Sequence, residues 1–223
     1  MNHPQVNQLI QQWANICTAL ATSHTRLIAV SKYTSDAAVQ TLLDAGQCDF
    51  GESRPQNLRD RAMKFPHAQW HFIGPLQKNK AKYIGKYAYM WHSLNDLDTA
   101  KLVAKHVDGR QLPVLIQVNI SNELQKQGIL PEELRALYTA ISELKGLEVI
   151  GLMGMAAKDG DARAAFQRLR KLGDDLQQEY GTVPELCMGM SGDWALAVEE
   201  GASMVRLGST LFDSYNATHF NET

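Results

Sequence analysis

Two hydrophobic periods alternate along this chain. Val6, Leu9, Ile10, Trp13, Ile16, Cys17 and Leu20 fall at helical spacing, so a helix opens the sequence. Residues 27–32, LIAVSK, are then a short apolar run of the kind a buried strand shows. SDAAVQTLLDAG follows, with Ser35 or Asp36 as cap, Val39, Leu42 and Leu43 on one face, and Gly46 as stop. CDFGES (48–53) reads as a second strand, with a polar helix running on through Met63. WHFIG (70–74) precedes a helical stretch over 76–86. YMWHSL (89–94) precedes a helix capped by Asn95 and Asp96 and carrying Leu97, Val103 and Val107.

The rhythm persists to the end. PVLIQVN (113–119) is the clearest strand, and the next helix starts at Pro131 with Glu132 and Glu133 in its first turn. Its apolar face is Leu134, Leu137, Tyr138, Ile141 and Leu144. LEVIGLM (147–153) is followed by a helix marked by Phe166, Leu169, Leu172 and Leu176 and closed by Gly181. ELCMGMS (185–191), a short helix WALAVEEG and SMVRLGS (203–209) complete the series. Eight strands alternating with helices predict a parallel sheet. At 223 residues a single closed (β/α)8 barrel, with an extra N-terminal helix on its bottom or side, fits better than an open doubly wound sheet. One domain over residues 1–223 is expected.

Such barrels carry their sites at the carboxyl ends of the strands. Those ends hold Lys32, Glu52 and Ser53, Gly74 on the strand that carries His71, His92 and Ser93, Asn119, Met153, then Met190, Ser191 and Gly192, and finally Arg206, Gly208 and Ser209. Alternation along a strand puts Ile28, Val30 and Lys32 on one face, and Met204, Arg206 and Gly208 on one face. With Val205 and Leu207 against the outer helices, Arg206 points into the barrel, where a charge must be paired or bound to something. Read singly, each residue is ordinary: Lys32 a solvated strand end, Arg206 a structural partner for Glu52, GMSGD (189–193) a turn with a serine cap. Read together, the loops after strands seven and eight offer Ser191–Gly192 and Gly208–Ser209–Thr210 beside a helix start, where barrels often bind phosphate. A phosphate cradle, a lysine and an inward arginine match pyridoxal 5′-phosphate, which needs a phosphate site, a lysine for a Schiff base and a partner for its ring nitrogen. Partial burial of Lys32 would favour its neutral, nucleophilic amine. An arginine at the ring nitrogen disfavours protonating that nitrogen and weakens the ring as an electron sink.

Composition sets the boundaries. Hydrophobic residues make up 44% and charged residues 21%, with formal net charge −2 and pI near 6.4, so nothing demands nucleic acid or an anionic membrane as partner. Cys17, Cys48 and Cys187 are odd in number and form no CxxC pair, which suits reduced thiols in a cytoplasmic protein better than disulfides or zinc. The polar N-terminus has no signal-peptide pattern, and no apolar run approaches the roughly 20 residues that span a bilayer.

The sequence resembles the pyridoxal phosphate homeostasis proteins, which look like the amino-terminal barrel of alanine racemase. AVSK, FGESRPQN, WHFIGPLQKNK, IQVNIS, GLMGM and MGMSGDWALAVEEGASMVRLGSTLF correspond to its motifs in order, over about residues 27–212. The resemblance implies a monomeric cytoplasmic barrel with pyridoxal phosphate on Lys32, phosphate contacts from Ser191, Gly208 and Ser209, and Arg206 near the ring nitrogen. Ser53, Met190 and His71 complete the candidate cofactor-binding set. It implies cofactor supply or buffering and amino-acid and keto-acid balance rather than a reaction, with apo-enzymes that use the cofactor as partners. Ser53 stands where the family usually has Asn, Asn57 where it has Glu, and Phe212–Asp213 where it has Phe–Gly.

Two rival functions are testable. A racemase-type enzyme carries a second, β-rich domain and a tyrosine from a partner subunit, for which a chain ending soon after strand eight leaves no room. Nucleic-acid binding through LQKNKAKYIGK, with Lys78, Lys80, Lys82 and Lys86, competes with a solvated helix face in a chain of acidic balance, and the solvated face is the better reading.

Overall fold

The computed structural model describes residues 4–121, 123, 127–181 and 184–219. Helix α1 (Pro4–Ala21) precedes β1 (Arg26–Val30), and strands and helices then alternate. They are α2 (Asp36–Asp44), β2 (Asp49–Glu52), α3 (Pro55–Lys64), β3 (Gln69–Phe72), α4 (Ala81–Tyr87), β4 (Met90–Leu94), α5 (Leu97–Ala104) and β5 (Leu112–Gln117). α6 (Leu134–Ser142), β6 (Leu147–Met153), α7 (Ala162–Tyr180), β7 (Glu185–Cys187), α8 (Trp194–Glu199), β8 (Met204–Leu207) and α9 (Ser209–His219) follow. Each strand pairs in parallel with the next, and β8 returns to β1 with Ile28 opposite Arg206, so the sheet is the closed (β/α)8 barrel expected.

Local chemistry accounts for the element limits. Ser35 accepts the Ala38 N–H at 3.2 Å and Asp96 that of Thr99 at 2.8 Å, which starts α2 and α5. Gly181, at φ 72°, ends α7 in the left-handed conformation. β7 is shorter than the run 185–191 because Gly189 turns the chain at φ 92°, where a Cβ would lie 2.6 Å from the Ala197 methyl. The chain does not trail away after strand eight either: residues 209–219, with no apolar stripe strong enough to predict a helix, form α9. The extra helix α1 lies on the side, against α2 and α9, with Gln12 Nε2 donating to the Thr210 carbonyl at 3.1 Å.

Side-chain alternation divides the core in two. Leu27, Ala29, Val205 and Leu207 join the layer between strands and helices, while Ile28, Met90, Leu115, Met153, Cys187 and Met204 fill the barrel itself. Polar groups share that interior. Asp49 Oδ1 lies 2.8 Å from His71 Nε2, His71 Nδ1 2.8 Å from His92 Nε2, and His92 Nδ1 3.3 Å from Cys187 Sγ. Arg26 and Glu185 pair at 3.4 Å.

Burial pushes the pKa of both imidazoles down, that of His92 well below its ordinary 6.5; Asp49 counteracts the shift at His71, whereas His71, Arg206 and Arg26 reinforce it at His92. An imidazole whose pKa is depressed in the fold contributes stability above its unfolded pKa and loses it as pH falls toward the folded value. The thermal midpoint is therefore expected to hold above pH 6.5 and to fall progressively below it. Scanning calorimetry across that range checks this, and a midpoint flat through acid pH would contradict it.

Candidate cofactor pocket at the carboxyl rim

A cavity of about 610 Å³ opens at the carboxyl ends of the strands. Its wall includes Lys32, Ser53, Met190, Ser191, Arg206, Gly208 and Ser209, so seven of the eight candidate residues meet there. β1 ends at Val30, Ser31 N still bonds the Gly51 carbonyl at 3.0 Å, and the chain then turns outward at Lys32. Lys32 is exposed, not half-buried as expected, and its Nζ stands 4.9 Å from the centroid of the Tyr33 ring. Ser53 is fixed by close backbone packing: a Cβ on Gly74 would fall 2.1 Å from the Ser53 carbonyl oxygen, so only glycine fits at the end of the third strand.

Arg206 is the electrostatic centre of the pocket. It is 5% exposed and lines the cavity, yet its Nε and Nη2 have no hydrogen-bond partner among the described residues. The sequence left open a structural pair with Glu52, and the structure rejects it. Glu52 alternates to the helix side of β2 and accepts the Ser31 hydroxyl at 2.8 Å. Burial raises its carboxyl pKa, while the Ser31 bond and Arg61 act in the opposite direction.

The phosphate-type loops are stapled together. Thr210 N donates to Ser191 Oγ at 3.2 Å, and Thr210 Oγ1 to the Ser191 carbonyl at 3.2 Å. Met190 N donates to Asp193 Oδ1 at 2.6 Å, holding the preceding turn. Ser209 is the first residue of α9, so Gly208 and Ser209 present the amino end of an eleven-residue helix to the cavity, where backbone N–H groups favour an anion.

His71 is the candidate the structure does not bring to the pocket. It is fully buried in the barrel interior between Asp49 and His92, because β3 places it one inward layer below the rim. Other strand-end groups also have structural duties. Ser93 donates to the Gly74 carbonyl at 2.6 Å, and Asn119 Nδ2 to the Glu123 carbonyl at 2.8 Å. Reasoning from strand ends missed Thr34, Asp213 and Asn216, which line the cavity; Thr34 Oγ1 bonds Asn216 Oδ1 at 3.0 Å. Thr34 shares the spacing of Val30 and Lys32 and could have been found, whereas Asp213 and Asn216 lie on α9, which the pattern did not reveal.

Comparison with known proteins agrees with this architecture. Residues 5–216 match the family described as alanine racemase, N-terminal domain. A pyridoxal phosphate homeostasis protein of Deinococcus radiodurans is 41% identical over 191 residues, covering 84% of this chain and 88% of its own. That of Aquifex aeolicus is 37% identical over 195 residues, covering 84% and 86%. The structure of PipY from Synechococcus elongatus with PLP bound superposes with a TM-score of 0.82 at 33% identity, over 92% of this chain and 99% of that one. With this identity spread over nearly the whole barrel, the chain belongs to the pyridoxal phosphate homeostasis protein family, built on the alanine racemase N-terminal domain.

Proposed function

We propose that this chain binds pyridoxal 5′-phosphate in the rim pocket and serves the intracellular supply and buffering of that cofactor. The observation that carries the reading is Arg206, a buried guanidinium facing a cavity with two nitrogens unpartnered among the described residues, next to an exposed lysine that follows the neighbouring strand and beside a helix amino end. When bound, the cofactor supplies an aldehyde reactive toward amines and a ring able to draw electrons from them. Lys32 offers the amine that would hold the aldehyde. Ser191, Gly208 and Ser209 would cradle the phosphate, with the Ser191 hydroxyl hydrogen free to point away from Thr210 N. Ser53 and Met190 complete the wall. Arg206 would donate an N–H toward the ring nitrogen and, being always protonated, cannot accept a proton from it.

The same geometry disfavours an enzyme of racemase type. Racemisation needs proton carriers on two faces of one carbon. Lys32 and Tyr33 are neighbours in sequence, with the ammonium over the phenol ring, so they serve one side. His71 and His92 are sealed in the barrel. We therefore read the protein as a non-enzymatic, monomeric, cytoplasmic carrier whose partners are apo-enzymes that need the cofactor. Cys17, Cys48 and Cys187 are free thiols, and no described helix is long and apolar enough to cross a membrane.

Borohydride reduction of the protein loaded with pyridoxal phosphate is expected to fix the cofactor to the peptide containing Lys32; label on another lysine would overturn the assignment. Ser209→Ala is expected to weaken cofactor retention by about 1.5–3 kcal/mol, the usual range for a lost bond to a charged group. Unchanged retention, measured by equilibrium dialysis, would argue against the cradle. Transfer of bound cofactor to an apo-enzyme is expected from the wild-type protein and to be altered in Lys32→Ala, with little or no racemisation of alanine by either. Rapid turnover would establish the enzyme reading instead.

A further inference from the structure

Four polar side chains run through the barrel axis and take no part in lining the rim pocket. Asp49 on β2 also lines a crevice of about 490 Å³ at the amino-terminal face, with Trp13, His24, Arg26 and Gln47. From it the hydrogen bonds pass to His71 on β3, His92 on β4 and Cys187 on β7, and the last three are completely buried. Their direction follows from donor arithmetic. A carboxylate only accepts, so His71 Nε2–H donates to Asp49, and a neutral His71 accepts at Nδ1. His92 Nε2–H must then be the donor to His71, which leaves His92 Nδ1 to accept the Cys187 S–H. Desolvation supports this arrangement, lowering both imidazole pKa values and raising that of the Cys187 thiol.

The far end of the chain lies under the pocket. Cys187 is paired with Met204 on β8, and Arg206 is the next inward residue on that strand. Arg206 acts electrostatically on both Cys187 and His92. The other charged or titratable groups facing the chain are Arg26 on β1, Glu185 on β7 and Tyr89 just before β4, whose ring centroid is 5.6 Å from that of His71. A second protonation pattern is available to the same atoms. The thiol proton moves to His92 Nδ1, and the His92 Nε2 proton moves to His71 Nδ1. Cys187 becomes a thiolate and His71 an imidazolium, with no proton gained or lost overall. The new anion has Arg206 on the pocket side, and the new cation has Asp49 on the other.

We propose that Asp49, His71, His92 and Cys187 form a proton relay whose charge-separated pattern is coupled, through Arg206, to occupancy of the rim pocket. A ligand atom that accepts an Arg206 N–H draws on the charge that favours the thiolate, so the neutral pattern, already the ground state of the open pocket, is favoured further by occupancy. Reciprocity requires the protonation of the relay to change ligand retention by the same factor. The coupling to ligand rests on the pyridoxal phosphate reading; the relay itself does not.

The infrared S–H band of Cys187, identified by its loss in Cys187→Ala, reads the thiol end of the relay in the full chain. Its disappearance with rising pH, when the relay as a whole loses a proton and the thiolate remains, is expected to shift upward by about one pH unit in Arg206→Gln, the low end of the effect of removing a nearby opposite charge. Pyridoxal phosphate is expected to shift it upward in wild type and not in Arg206→Gln. Histidine ¹⁵N spectra of the ligand-free wild type are expected to show both rings in the Nε2–H form at neutral pH, a measurement that depends on no variant. An Nδ1–H ring at either position, or an unchanged Cys187 midpoint in Arg206→Gln, would overturn the proposal. If pyridoxal phosphate is trapped on Lys32 yet leaves the midpoint unmoved, the coupling is wrong. If it is not trapped there, the pyridoxal phosphate reading fails, while the ¹⁵N spectra still decide the relay and the Arg206→Gln comparison its link to Arg206.

Discussion

A guanidinium carried into a barrel, with no carboxylate paired to it among the described residues, is the constraint around which the site is arranged. Arg206 is carried inward by strand parity, because Val205 and Leu207 are taken by the layer under the helices. It cannot shed its proton, and two of its nitrogens find no partner among the described residues. A charge so placed is costly unless something in the cavity meets it. The closed sheet keeps it there: β8 is hydrogen-bonded on both sides, to β7 and to β1, and has no free edge along which to rotate the residue out. Lys32, just past the adjoining strand, and the first turn of α9 then share one cavity with it, which is why a lysine, an arginine and a helix amino end come together without a long loop.

The rim and the interior solve their polar problems differently. At the rim, Ser191 and Thr210 bond each other across two loops and leave the helix amino end facing the cavity. In the interior, Asp49, His71, His92 and Cys187 satisfy one another in series. Series satisfaction is what lets two imidazoles lie in an apolar barrel at all, since each neutral ring offers one donor and one acceptor and the chain uses both. The carboxylate at one end and the guanidinium near the other give the chain its polarity.

How much of this was legible in the linear pattern depended on distance along the chain. Parity over three residues was enough to turn Arg206 inward, and the offset of Ser191 and Ser209 from the last two strands was enough to bring both to one cavity wall. His71 lies apart from the pocket because the strand that carries it continues past it toward the rim. β3 runs to Phe72, so His71 sits inside the barrel and Ile73 and Gly74 form its rim. The pairing of Glu52 with Arg206, which the linear pattern left open, fails for a related reason: two residues at the carboxyl ends of strands share a rim but not a face.

The sequence by itself determined the class of fold, the inward set on β1 and β8 and the residue types of the pocket, because alternation and helical spacing are short-range properties of the chain. Only the tertiary structure decided that Lys32 is exposed, that Glu52 belongs to Ser31 on the helix side, and that α9 brings Asp213 and Asn216 to the cavity. It alone decided that residues 49, 71, 92 and 187 form one hydrogen-bonded line. Those four come from four different strands, and the stagger between neighbouring strands, which sets the height of each residue along the barrel axis, is fixed only when the sheet closes.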